Sequence, residues 1–137
     1  MMIQENYEGE PSVQASRANN NVEKLNRALP PLIEPDSRNL MTGESAKTYY
    51  ARMEPFRRIC EARSVLRWIA GGDFNFTAYF TKVSIKRGRD SALILKNDVM
   101  DLFGTVIRRD PSLNNLLYPQ LKQLEDKYRQ ALSDLVK

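Results

Sequence analysis

The sequence predicts an all-α protein: a small bundle of four or five helices that includes a C-terminal helical hairpin, preceded by a disordered N-terminal arm. Three observations carry this expectation. Apolar residues recur at steps of three and four, most regularly over 93–107 and 121–135, which places them along one face of a helix. Gly71-Gly72, Gly88 and Asp110-Pro111 fall where those stripes end. No segment combines a strand pattern with a second strand to pair with, and a lone strand leaves its backbone groups unpaired. At 137 residues the chain fits one domain and can bury a core without disulfides.

Residues 1–20 are polar and mixed, with Glu5, Asn6, Glu8, Gly9, Glu10, Pro11 and Ser12 ahead of Ser16 to Asn21. So few apolar groups cannot offset the entropy of ordering, and the segment reads as disordered. Val22, Leu25 and Leu29 then share one face of a short helix over 21–29, with Asn20 or Asn21 as its cap. Pro30-Pro31 stops that helix. Leu32-Ile33 is placed to dock in an extended conformation, on this domain or on a partner. Pro35, Asp36, Ser37, Asn39 and Gly43 mark a linker over 34–43. Residues 1–43 therefore read as arm and linker, and 44–137 as a single helical domain.

Ala46, Tyr49, Tyr50 and Met53 give the next apolar face. Pro55 follows, and proline suits the first turn of a helix. Either one helix ends at Glu54 and another starts at Pro55, or a single helix kinks there. Ile59, Cys60, Ala62, Val65, Leu66 and Ile69 continue with helical spacing until Gly71-Gly72, where glycine takes the C-terminal position without a side-chain penalty. Residues 73–86 fit two patterns. As a helix, Asp73 or Asn75 caps it and Phe76, Tyr79, Phe80 and Val83 share a face; as a strand, Tyr79, Thr81, Val83 and Ile85 alternate with Phe80, Lys82, Ser84 and Lys86. Composition favours the strand. The missing pairing partner favours the helix, which is the reading adopted.

Gly88 breaks the chain again, and Asp90 or Ser91 is expected to cap a helix carrying Leu93, Leu95, Val99, Leu102, Phe103, Val106 and Ile107. Arg108 and Arg109 end it, where positive charge meets the negative end of the helix dipole. Asp110-Pro111 is a stop and a restart. Pro119 repeats the device, so a short turn at 111–117 should precede a final helix over 119–137. The stripe of that helix is Leu121, Leu124, Tyr128, Ala131 and Leu135, narrow enough to resemble a coiled-coil seam. Leu95, Val99, Leu102 and Val106 should pair with Leu121, Leu124, Tyr128 and Leu135 across the hairpin.

The chain has no histidine. That removes the commonest general base, the commonest zinc ligand and any Ser-His or Cys-His nucleophile. Cys60 is the single cysteine and lies inside an apolar helical pattern, as a small core residue does. Asp98 and Asp101 share a helical face, the arrangement that could hold a hard cation, but a solvated face explains them. Gly71-Gly72-Asp73 reads as a helix stop followed by a cap. There is no phosphate loop and no dinucleotide fingerprint. The expectation is a protein that is not an enzyme, with no cofactor, no metal and no small-molecule substrate.

The formal net charge is +4, from 21 basic and 17 acidic residues. Lys82, Lys86, Arg87 and Arg89 cluster without an intervening acid, after Tyr79 and Phe80. Basic groups beside aromatics suit a phosphate backbone and exposed bases. A second set, Arg57, Arg58, Arg63 and Arg67, runs along the helix over 55–70. The functional expectation is a protein–protein interaction or assembly subunit, an adaptor using its C-terminal helix and N-terminal arm. Leu121, Leu124, Tyr128, Leu135 and Trp68 are its candidate contact residues. Its partners would be other protein subunits, copies of itself included. The alternative is a small nucleic-acid-binding protein using Lys82, Lys86, Arg87 and Arg89. No apolar run reaches the roughly 18–20 residues needed to span a bilayer, so no membrane is expected. The lone cysteine and the absence of a signal-peptide pattern point to an intracellular compartment, cytoplasmic or nuclear.

Overall fold

The computed structural model describes residues 17–32, 45–73 and 75–136, with side chains as far as Arg129. The described residues form five helices and no strand: α1 over 17–28, α2 Ala46–Ala70, α3 Phe76–Arg87, α4 Arg89–Arg109 and α5 Leu113–Val136. The all-α bundle is as the periodicity predicts, and the two-pattern stretch is helical from Phe76 onward. The expected disorder of 1–16, Ile33, the linker over 34–43 and the side chains of Ala131 and Leu135 lie outside the described residues. Among the described residues, no helix is long and apolar enough to cross a membrane.

α2 starts at Ser45, whose hydroxyl accepts from the Thr48 N–H at 3.1 Å. It runs unbroken through Pro55, so the two-helix option is not realised. Pro55, Ile59 and Ala62 line one cleft against α4, and Arg57 bridges Glu54 and Glu61 on either side of the proline. Both halves are thereby held in one register. Gly72, at φ 91°, ends the helix in a conformation that side chains disfavour. α3 turns Phe76, Phe80 and Val83 into the core. One residue, Gly88 at φ 100°, then separates α3 from α4. Neither Asp90 nor Ser91 caps α4; Gly88 occupies the cap position with no side-chain bond. Asp90 and Ser91 already lie inside the helix, and the non-helical residue before it, Gly88, has no side chain with which to cap.

The C-terminal expectation needs correcting in its boundaries. No separate turn at 111–117 precedes a helix from Pro119; α5 begins at Leu113 and passes through Pro119. Asp110 accepts from the N–H and hydroxyl of Ser112 at 3.2 and 2.6 Å, which organises the turn before it. Leu113, Leu117, Leu121 and Leu124 are all fully buried. Burial of each leucine is worth about 1.5–3 kcal/mol, against about 3 kcal/mol for an interior proline. Together the leucines outweigh the proline, and the helix continues.

α4 is the central helix, packed against α2, α3 and α5. α4 meets α5, and of the expected hairpin pairing Leu95, Val99, Val106, Leu121 and Leu124 all enter the common core. Leu102 departs from that pairing: it is half-buried in the cleft against α2. Its place beside α5 goes to Phe103, which stacks on Tyr118 with centroids 6.1 Å apart. Tyr128 turns toward α3, edge-on to Phe80 at 6.3 Å.

The N-terminal helix also differs from expectation. Among the described residues it reaches back to residue 17, inside the segment read as disordered, and Leu25, Ala28 and Leu29 enter the same core as α2 to α5. The packed unit therefore reaches N-terminal of residue 44. Once packing fixes the turn around Leu25, extending the helix back through Ala18 adds hydrogen bonds at little further entropic cost. Leu32 remains exposed.

Candidate functional site

α3 has two unlike faces. Phe76, Phe80 and Val83 point into the core. On the other side Lys82, Lys86 and, just past Gly88, Arg89 are all exposed. Ile85 lies among them with 79% of its surface exposed. α5 runs alongside, and its Lys127 donates to the Thr81 hydroxyl at 3.4 Å. Between the two helices is a cleft of about 240 Å³, lined by Phe80, Thr81, Ser84, Ile85, Arg89, Lys127 and Tyr128. Among the described residues, Lys82, Lys86, Arg89 and Lys127 form no ion pair.

Arg87 is different. It sits next to the cluster in sequence but turns toward α2, where Nη2 meets Glu61 Oε2 at 2.6 Å. Glu61 also accepts from Arg57 at 2.9 Å and from the Tyr79 hydroxyl. Burial alone would raise the Glu61 pKa. The hydrogen bonds from Arg87, Tyr79 and Arg57, with the Arg87 charge, outweigh it and hold the carboxyl down to about 2. Burial, and then the bond to this carboxylate, raise the Tyr79 phenol. Arg87 is thus part of a polar knot joining α2 to α3, and three of the four expected cations, Lys82, Lys86 and Arg89, are left without an ion pair among the described residues.

The second basic set is engaged throughout. Arg57 bridges Glu54 and Glu61. Arg58 grips Asp98 with two bonds, at 2.6 and 2.9 Å. Arg63 donates to the Pro30 carbonyl at 2.8 Å and Arg67 to the Asn26 side chain at 3.0 Å. The Arg58 pair also accounts for one member of the Asp98–Asp101 pair. Among the described residues no group of histidine, cysteine and carboxylate side chains is placed to hold a metal ion.

The candidate contact residues of the C-terminal stripe divide. Leu121 and Leu124 have no exposed surface and lie in the core of this domain. Tyr128 is half-buried at the edge of the α3–α5 cleft. The side chain of Leu135 lies outside the described residues. Trp68 is half-buried, edge-on to Tyr79 at 5.0 Å, and shares an open cleft of about 440 Å³ with Cys60, Glu61, Tyr79 and Arg87.

Ile85 and Lys127 do not stand out in the sequence. Ile85 follows Val83 by two positions, which on a helix is about 200° around the axis. That offset is legible once the stretch is taken as a helix. Lys127 reaches the cleft from α5 and has no local signal at all. Compared with known proteins, the chain matches no family model, no curated protein and no solved structure.

Proposed function

We propose that this chain is a non-catalytic interaction subunit whose contact face is the outer side of α3 with the adjoining turns of α5. The observation that carries this reading is the exposure of Ile85 among Lys82, Lys86 and Arg89. The opposite face of α3 already fills the core, so Ile85 adds nothing to the fold. A lone exposed apolar residue is ordinary; this one borders a cleft whose other wall includes Tyr128. A partner that covers it gains the burial of a large aliphatic side chain, about 1.5–3 kcal/mol. Interface energy concentrates in such anchors, with polar rims around them. The lack of any histidine supports a binding role over a hydrolytic one.

The test is photo-crosslinking in the native host from a benzoylphenylalanine placed at Ile85, with the exposed position Asn97 on α4 as control. Discrete adducts heavier than the chain should form from position 85 and not from position 97. No adduct from position 85 would remove this reading.

A further inference from the structure

We infer that the α3–α5 cleft receives an acidic amphipathic helix of a partner protein. The inference rests on the contact face proposed above and adds the chemistry of what covers it. Arg89 and Lys127 line the cleft with Ile85 and Tyr128, Lys82 and Lys86 are exposed on α3 either side of Ile85 in sequence, and no carboxylate is among the cleft-lining residues. The α2–α4 cleft, at about 350 Å³, has a comparable apolar floor of Pro55, Ile59, Ala62 and Leu102. Its charge is largely closed on itself by the Arg58–Asp98 pair. The α3–α5 cleft instead presents Arg89 and Lys127 with no ion-pair partner among the described residues, so its charge specifies an occupant.

Spacing points to a helix. Lys82 and Lys86 are one turn apart, about 6 Å along the axis. Carboxylates at i and i+4 of a helix lying along α3 have the same separation. Between them the docked helix turns its apolar stripe onto Ile85 and the half-buried Tyr128, which is the groove-binding mode of amphipathic helices. The rim charges set orientation and association rate; the apolar anchor supplies most of the affinity. A nucleic acid fits less well. Phe80 is fully buried and Tyr128 half-buried, so the cleft has no open aromatic ring on which a base would stack. A phosphate backbone over Ile85 would leave the isoleucine without an apolar neighbour.

Fluorescence anisotropy with labelled synthetic probes on the full chain tests this. The first probe is a peptide of about 16 residues, roughly four turns, with leucines on one face and glutamates flanking them. The second carries lysines in place of the glutamates. The third is a single-stranded oligonucleotide of about 20 nucleotides, with its duplex alongside. The acidic peptide should bind, more weakly as salt rises, and the basic peptide should not. Lys86→Glu and Arg89→Glu should each weaken it by about threefold or more, and Ile85→Asp by about tenfold or more. Lys47→Glu, the same charge change on the exposed start of α2, should alter it by less than about twofold. These side chains are exposed, so melting temperatures should stay at the wild-type value and report any failure to fold. Equal binding of both peptides, insensitivity to Ile85→Asp, or binding of the oligonucleotide but not the acidic peptide would overturn the inference. If the acidic peptide fails while position 85 still crosslinks, the partner chemistry is wrong and the contact face stands. If both fail, both fall.

Discussion

Arg109, in the last turn of α4, donates through Nη1 to the carbonyl of Leu29, 3.0 Å away and 80 positions earlier in the chain. Arg63 of α2 does the same for the next carbonyl, Pro30, at 2.8 Å. A helix ends with carbonyls that have no donor above them, and Pro30-Pro31 cannot supply one. Two guanidinium groups from distant helices fill that need. α1 is tied at its end by these bonds and along its length by Leu25, Ala28 and Leu29.

The double variant Arg63→Ala, Arg109→Ala should loosen this end without unfolding the bundle. Trypsin should cut after Lys24 and Arg27 slowly in the native protein and several times faster in the variant, because cleavage tracks local opening. Leu25→Ala should in addition lower global stability by about 2–5 kcal/mol in urea unfolding. Equal cleavage rates in wild type and double variant would show that apolar packing alone holds α1.

Leu124→Ala should cost the isolated protein about 2–5 kcal/mol, a large share of a typical total of about 5–15 kcal/mol. Leu124→Asp should prevent folding, because its carboxylate would be buried without a partner. Circular dichroism melts of the purified chain decide this. An unchanged melting temperature for Leu124→Asp would place the leucine at an external interface instead.

Glu61 gives a pH dependence of definite sign. Its folded pKa, about 2, lies below the ordinary 4.5. Its contribution is therefore complete above about pH 5 and is lost as pH falls toward 2, amounting to at most about 3 kcal/mol, and less to the extent that solvent screens the pair. Glu61→Gln should be less stable than wild type at pH 7. The two stability curves, from urea midpoints between pH 7 and 2, should converge at the acid end. Parallel curves across that window would mean that the Arg87 pairing adds nothing.

Two glycines should respond in opposite directions to alanine. Gly104 sits inside α4, where an added methyl group would meet only the mobile end of Arg108 at 3.7 Å. Gly104→Ala should stabilise by about 0.5–1 kcal/mol. Gly88 holds φ 100° between α3 and α4, so Gly88→Ala should destabilise by about 1 kcal/mol or more despite open space around it. Thermal melts of the two variants should shift in opposite directions.

Helix content was legible because its signals are local. The spacing of Phe76, Phe80 and Val83 and the stops at Gly71-Gly72 and Gly88 need only neighbours in sequence. The prolines misled, at Pro119 most of all, because a local stop signal carries a limited cost that the burial of Leu113, Leu117, Leu121 and Leu124 exceeds. The candidate surface was half legible. Lys82, Lys86 and Arg89 are visible in sequence as clustered basic residues and are exposed in the structure, but nothing near Arg87 in sequence announces a carboxylate on α2, 26 positions away.

The sequence by itself determined that this chain is helical, where its glycines end helices, and which residues seek a common apolar face. Those properties follow from a 3.6-residue period and from the backbone preferences of single residues. Only the tertiary structure decided what each face meets. It turned the Leu121–Leu124 stripe inward, brought Leu25 of the presumed arm into the core, drew Arg87 onto Glu61, and left Ile85 outside beside Lys127. A helix of either environment has the same pattern; which surface covers it depends on packing between segments far apart in the chain, and that free energy appears only when they meet.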